Sequence, residues 1–541
     1  MNSREQRLSC IIGLVLTMAV TAFISWDGLH HWHEVRFLYL TCNFSFQEIL
    51  LGVFNPQQVG HSIDEASSAG FYCAKVLHLG VLKILFLLVP PAKGGLTLAV
   101  TLSMLWMALS ALFFYQVLQN LLKNQLSASL GVLCFLLTPV VPYLSGKLLS
   151  ETTALPLVTL SCLLFLKGSQ THFRNRFRYL LGAGVFLALT ALARVDMVIP
   201  LVALAGALTF TSETRRLRQD LLLCSVSVLL ISAPLYLTVL FLLGVHPDNL
   251  LAYFEGFVTG GIKSTAMSAL GIATFGGFVY LFGVASFIGR KNRTVQLFAL
   301  WFLLAVLPHL LVTVNYMVEP RYLTSALLPL AGLGSLGLTP LIESLTNRRL
   351  SHLLLAGVLL FTISANVFLV KLMPYELDRS ALLRTVDSIL GSDNSACLLV
   401  PWSYSDFHFL RIMRPEARIF NVNTPTSVDG TSLLSAAWQS RLKRFYGDRY
   451  LSNPDELNRI LRHGRVYYLG WGKYPPLENA KEMARSVGLD GMSRLLDKVS
   501  GMDHLAQSWI WHSKHYHFEP KGQSGQYRYY LLTTTGGPAR G

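Results

Sequence analysis

Residues 95–119 read GLTLAVTLSMLWMALSALFFYQVLQ, twenty-five positions without a charge or a proline. An α-helix rises about 1.5 Å per residue, and about 20 apolar residues cross the hydrocarbon layer of a bilayer. The stretch is long enough and apolar enough to span a membrane as one helix. Working outward from it, similar runs recur at about 8–25, 126–143, 153–167, 179–193, 197–211, 221–243, 269–289, 295–314, 323–342 and 353–372. With 95–119 these make about eleven transmembrane helices. A further run at 76–90 is short, carries His78 and Lys83 and ends in Pro90-Pro91. It reads as a helix lying at the membrane surface or dipping into it.

The composition of the whole chain agrees. Of 541 residues, 52% are hydrophobic and 14% charged, and the mean hydropathy is +0.46. Ordinary soluble domains carry about 25% charged residues. Disorder is excluded by the amount of apolar surface. A disulfide scaffold is excluded by the 7 cysteines. The net charge is +15. The basic residues are scattered through short loops between apolar runs, so they set orientation and do not form a nucleic-acid footprint.

That orientation can be read. With the N-terminus in the cytoplasm and a crossing at each span, the inside loops hold Arg4, Arg7, Lys123, Lys167, Arg174, Arg176, Arg178, Arg215, Arg216, Arg218, Arg290, Lys291, Arg293, Arg348 and Arg349. The longer outside loops hold only Arg36, Lys75, Lys83, Lys93, Lys147, Arg194, Lys263 and Arg321. Counting 76–90 as a crossing would invert every later loop and destroy this positive-inside contrast. The run at 8–25 reads as an uncleaved signal anchor. The acidic residues before position 373 gather on the outer side, at Asp27, Glu34, Glu48, Asp64, Glu65, Glu151, Asp196, Asp248, Glu255 and Glu319.

Two domains follow. Residues 1–372 form the membrane part, with a long first outside loop at 26–94. Residues 373–541 contain no run long enough to cross and read as an extracytoplasmic soluble α/β domain. Strands are expected near 396–400, 465–470 and 526–534, and helices near 376–391, 432–446 and 476–488. Residues 535–541 read as a frayed end. Cys42 and Cys73 share the first outside loop, where a disulfide between them is one option.

The first outside loop opens WDGLHHWHEVRFLYL at 26–40, which places Asp27, His30, His31, His33, Glu34 and Arg36 close to a membrane exit. The second outside segment reads PVVPYLSGKLLSETTALPL at 139–157 and contains Glu151. ALARVDMVIP at 191–200 carries Arg194 and Asp196, and VEPRYLTSALLPL at 318–330 carries Arg321. In order, spacing and sidedness this set resembles the polytopic lipid-dependent glycosyltransferases of the GT-C fold, the protein O-mannosyltransferase-like and aminoarabinose-transferase-like superfamily. The resemblance covers about residues 8–345. Where those enzymes often place Asp-Glu in the first loop, this chain has His33-Glu34. Their surface helix in that loop corresponds to 76–90, here without the His-Pro-Pro that often precedes it.

The resemblance implies an integral-membrane transferase acting on a polyprenyl-phosphate-linked sugar outside the cytoplasm. The acceptor would be a glycan, a lipid or a protein. Glu34 would be the general base, with Asp27 next in line, because a carboxylate within hydrogen-bond reach can take the acceptor hydroxyl's proton. Arg321 and Arg194 would bind the lipid phosphate, whose charge grows as it leaves; a guanidinium fork suits two phosphate oxygens. Glu151 would position the acceptor or help bind a divalent metal, if one is used. The loop motifs point to a bacterial inner membrane.

Blander readings stand beside these. Glu34 can be a solvated loop residue, and Asp64 and Glu65 can cap the helix that follows. Glu151 can cap the span that begins near Thr153. Arg194 can pair with Asp196 in a tight hairpin, and Arg321 can snorkel or pair with Glu319. Lys83 reads as snorkelling. The spacing of His30, His31, His33 and Glu34 matches no standard metal pattern. His512, His515 and His517, among Trp509, Trp511 and Tyr516, read as an interfacial or packing strip. Phosphate-loop, HExxH and GxSxG motifs are absent from the sequence. Two other function classes remain at this level: a transporter or flippase of lipid-linked sugars, and a non-catalytic envelope-assembly subunit.

Overall fold

The computed structural model describes residues 32–51, 72–171, 173–245, 275–287, 292–313, 320–344, 379–392, 396–400, 404–422, 449–451, 454–471, 513–524 and 527–534, with a few isolated positions. Asp27, the span at 8–25, nearly all of 353–372 and the helices expected at 432–446 and 476–488 lie outside the described residues.

The segment 26–94 contributes α1 (Trp32–Asn43), α2 (Phe46–Leu51) and α3 (Val76–Leu88). Eight membrane-part helices follow before the two late ones: α4 (Gly95–Leu122), α5 (Gln125–Leu137), α6 (Val140–Ser145), α7 (Ser150–Gln170), α8 (Phe173–Ala193), α9 (Ile199–Thr211), α10 (Arg215–Leu242) and α11 (Val279–Ala285). The late pair is α12 (Arg293–Thr313) and α13 (Leu327–Glu343). Among the described residues, α4, α7, α8, α10 and the segment 321–343 are long and apolar enough to cross a membrane.

Two expected spans take a different form. The run 126–143 breaks into α5 and α6, because Pro139 cannot donate to the helix ladder and pushes Thr138 to an extended ψ of 124°. The run 323–342 enters as a 3₁₀ turn, Pro320–Ala326, before α13. The 76–90 segment is the helix α3 and is too short to cross by its own length. Lys83 does not snorkel. Its Nζ donates to the carbonyls of Thr41 at 2.6 Å and Phe44 at 2.7 Å, which satisfies acceptors at the end of α1. Cys42 and Cys73 are both free thiols, and Cys73 donates to the Leu50 carbonyl.

The helices sort by burial. In α7 and in 321–343, 72% of the spanning window is buried, against 17% in α10. The first two form the centre of the bundle, and α10 faces the lipid. Small and hydroxyl side chains let central helices approach closely. Thr339 donates to Ser127 Oγ at 3.0 Å, and Ser335 donates to the Ser127 carbonyl, tying α13 to α5. Trp301 Nε1 donates to the Pro200 carbonyl at 2.8 Å, tying α12 to the start of α9.

The C-terminal part holds a five-stranded sheet of order β2-β1-β3-β5-β4. The strands are β1 (Cys397–Val400), β2 (Arg418–Asn421), β3 (Val466–Trp471), β4 (Tyr516–Ser524) and β5 (Tyr527–Thr534). β1 runs parallel to β2 and β3, and the β4–β5 hairpin adds antiparallel to β3. Helix α14 (Arg379–Ser392) leads into β1, α15 (Tyr404–Met413) lies between β1 and β2, and α16 (Pro454–His463) lies between β2 and β3. The three expected strands are present. β2, β4, α15 and α16 are additions to the sequence reading. β2 is four residues long, and Pro520 and Gly522 interrupt the β4 pattern with a register shift.

The sheet part docks on the first loop. Tyr39 of α1 packs on His408 of α15 with ring centroids 4.1 Å apart. Phe407, Phe409 and Leu410 join the same buried cluster as Phe37, Leu38 and Leu40.

Candidate functional site

Four chain breaks converge at one end of the bundle: the residue before α3, the start of α7, and the 3₁₀ turns Val195–Val198 and Pro320–Ala326. Each carries a charge there. Glu151 is the second residue of α7 and fully buried. It does not cap the helix, since Leu149 holds the N-cap position without a side-chain bond. An acidic side chain in the first turn is favoured by the helix dipole.

The Glu151 carboxylate is instead held by arginine. Arg194 Nη1 lies 2.8 Å from Glu151 Oε1, and Arg321 Nη1 lies 3.7 Å from the same oxygen. The first is a close charge pair without hydrogen-bond alignment. Ser150 Oγ donates to the other oxygen at 3.3 Å and accepts from Arg194 Nη1 at 3.4 Å. The Nε edge of Arg194 faces Asp196, 2.8 Å from Oδ1. One guanidinium therefore joins two carboxylates. Tyr322 lies beneath both arginines, its ring centroid 4.9 Å from Arg321 Cζ and 5.8 Å from Arg194 Cζ.

Lys75 completes the group. It is 3% exposed and interacts with Glu151, Asp196, Arg194 and Arg321. Burial, reinforced by the nearby arginines, holds its ammonium well below the ordinary lysine range against the pull of the two carboxylates. Burial also works to raise the Asp196 carboxyl, but Arg194, then His309 and Lys75, outweigh it and hold that group below its usual value. His78 of α3 is buried, and its Nδ1 lies 3.0 Å from Thr153 Oγ1, one turn into α7. Burial pushes its imidazole down to about 4, so it is neutral at pH 7. His309 Nε2 lies 2.7 Å from Ser325 Oγ.

The described site thus brings together Glu151, Arg194 and Arg321, three residues singled out from the sequence. Arg321 turns to Glu151, and Arg194 serves both Glu151 and Asp196. Glu34 lies in α1, whose later residue Phe37 packs on His78 with ring centroids 5.3 Å apart. Asp27 lies outside the described residues. Lys75, His78, His309 and Tyr322 were missed. Lys75 and His78 bracket the start of an apolar run, where a buried charge is costly unless it has partners; that was the available signal.

Chemically the site is an enclosure where two guanidinium groups, Arg194 and Arg321, and the buried Lys75 amine meet two carboxylates. The guanidinium edges can offer paired N–H donors to the oxygens of an anion. Among the described residues the site offers no ready ligand set for a divalent cation. Both described carboxylates already face Arg194, and among the described residues no three His, Cys, Asp or Glu side chains are grouped to hold a metal.

The family described as dolichyl-phosphate-mannose-protein mannosyltransferase matches residues 81–240, which include Glu151, Arg194 and Asp196. The crystal structure of ArnT from Cupriavidus metallidurans bound to undecaprenyl phosphate shares the fold, with a TM-score of 0.50 at 12% identity over 96% of this chain and 97% of that one. The archaeal oligosaccharyltransferase AglB from Archaeoglobus fulgidus, in complex with an inhibitory peptide and a dolichol-phosphate, aligns over 96% of this chain and 74% of that one at 12% identity and a TM-score of 0.48. No curated protein matches the sequence. The family match and the shared architecture bear out the GT-C resemblance: the fold is that of the polytopic membrane glycosyltransferases.

Proposed function

We propose that this chain is an integral-membrane glycosyltransferase that moves a sugar from a polyprenyl-phosphate donor to an acceptor outside the cytoplasm. The observation that carries the reading is the buried group of Lys75, Arg194 and Arg321 around Glu151, at helix ends where a lipid headgroup would lie. The acceptor hydroxyl oxygen attacks the anomeric carbon of the sugar. The carbon–oxygen bond to phosphate breaks, and the lipid phosphate leaves with the electron pair. A carboxylate takes the hydroxyl proton.

In this reading Glu34 is the base, on the ground of the sequence resemblance and its place on α1. Arg194 and Arg321 stabilise the charge that grows on the leaving phosphate. Glu151 holds both guanidinium groups in place and positions the acceptor. His78, neutral and bonded to Thr153, fixes α3 against α7. The site lies in the periplasm of a bacterial cell, with the 373–541 domain on the same side.

The test compares surface glycans by mass spectrometry in a deletion strain. One copy is complemented with the native protein, the other with Glu34→Gln at matched membrane abundance. Loss of a sugar that the native protein restores supports the transferase reading, and the missing mass gives the sugar. Full restoration by Glu34→Gln removes Glu34 as base. Absence of any glycan change in the deletion strain overturns the transferase reading itself.

A further inference from the structure

A second feature lies between α7, α8, α9 and α10. Phe165 of α7, Leu187 of α8, Ala205 and Phe210 of α9, and Leu222 and Leu229 of α10 line an apolar groove of about 240 Å³. Phe165 follows Glu151 by fourteen residues along α7, about 21 Å of helix rise. Leu187 and Leu201 carry the lining to within about two turns of Arg194 and Asp196, but the groove is lined by none of the charged side chains. Its rim opens outward, with Phe210 71% and Leu222 57% exposed on the lipid-facing side formed by α10.

The charges at one end of this groove are unequally matched. Asp220 is taken by Arg176 at 2.7 Å, and Glu213 pairs with Arg293. Arg215 and Arg218 have no acidic partner among the described residues. Arg218 Nε donates to the Ser212 carbonyl at 3.1 Å, which leaves its two terminal amino groups for other acceptors. At 3.6 residues per turn, Arg215 and Arg218 stand on the same stripe of α10 as Leu222, Ser225 and Leu229. An apolar trough thus continues directly into two arginines.

We propose that this groove is a lipid site: one acyl chain of an anionic phospholipid lies between α9 and α10, and Arg215 and Arg218 bind its phosphate. The bilayer surrounds this face, and an acyl chain fills an apolar trough without leaving a polar group unmet. Guanidinium groups bind phosphate oxygens in a forked geometry. The site does not depend on the transferase reading.

The experiment is native mass spectrometry of the purified full chain, released from micelles containing equal amounts of phosphatidylglycerol and phosphatidylcholine with identical chains. The native protein is expected to retain phosphatidylglycerol at least fivefold over phosphatidylcholine. Arg215→Gln with Arg218→Gln should bring that ratio to within twofold. This pair keeps Thr214, whose hydroxyl caps α10, and so tests the headgroup without disturbing the helix start. Ser225→Trp fills the trough and should remove one retained lipid. An unchanged ratio in the double variant, or an unchanged lipid count in Ser225→Trp, overturns the proposal. So does stoichiometric displacement of the bound lipid by undecaprenyl phosphate, which would assign the groove to the donor.

Discussion

Arg194 stands between two carboxylates, with Nη1 2.8 Å from Glu151 and Nε 2.8 Å from Asp196. Both contacts come from one planar group, which an ammonium cannot reproduce. Removing it leaves Glu151 fully buried, with the Arg321 guanidinium 3.7 Å away. Breaking a buried pair in this way costs about 3–5 kcal/mol. Arg194→Ala is expected to lower thermal stability in detergent and membrane abundance together. Arg194→Lys should recover abundance while transfer stays at least tenfold down. Equal recovery of both would show that Arg194 acts as a charge alone.

Glu151→Gln separates charge from shape. The amide is isosteric, so α7 should keep its start. The cluster loses a negative charge, and Lys75, Arg194 and Arg321 are then opposed by Asp196 alone among the described carboxylates. Binding of undecaprenyl phosphate should tighten several-fold, while transfer falls about 100-fold as the arginines lose the group that aims them. Binding by fluorescence quenching and transfer in reconstituted vesicles give the two values. A parallel fall in both would mean that Glu151 supports the fold and not the site.

Much of this was legible in the sequence, for identifiable reasons. The spans follow from long uncharged runs such as 95–119, and the key residues from their places at outer span ends. Glu151, Arg194 and Arg321 are 43 and 127 residues apart in sequence, and only α7, α8 and the turn before α13 bring them to one carboxylate. The signal at Lys75 was weak, because a lysine before an apolar helix ordinarily snorkels. β2 was missed because four residues with alternating burial carry little periodic signal, and β4 because Pro520 and Gly522 read as a turn. The break between α5 and α6 was signalled by Pro139 and Pro142 but outweighed by the apolar length of the run.

Gly337 tests the packing of the central helix. A Cβ there would land on the Phe282 carbonyl of α11. Backbone cannot move aside as a flexible side chain can. Gly337→Ala should therefore destabilise the α11–α13 contact by about 1–3 kcal/mol. Thermal denaturation in detergent is expected to show it. Gly283 on the facing helix has only ordinary contacts around its Cβ position, the nearest at 3.7 Å, so Gly283→Ala should be close to neutral.

His408 gives the α1–α15 contact a pH dependence. It is buried on Tyr39, and burial, then Arg411, pushes its imidazole down to about 3. An unfolded histidine titrates near 6.5. Below that pH the separated state binds a proton that the docked state refuses, so docking weakens as pH falls. The contribution is complete above pH 6.5 and declines toward pH 3, by at most about 1.4 kcal/mol per unit. Hydrogen exchange of α1 amides in the full chain should rise between pH 7 and pH 4.5, after correction for intrinsic rates, more than that of α7. His408→Phe keeps an aromatic ring on Tyr39 and cannot take the proton. It should abolish the excess rise while leaving α1 protected at pH 7. Because Glu34 lies on α1, the same acidification should reduce transfer by the native protein more than by the variant. If both proteins show the same α1 exchange at every pH, His408 does not govern the docking of the sheet domain on the first loop.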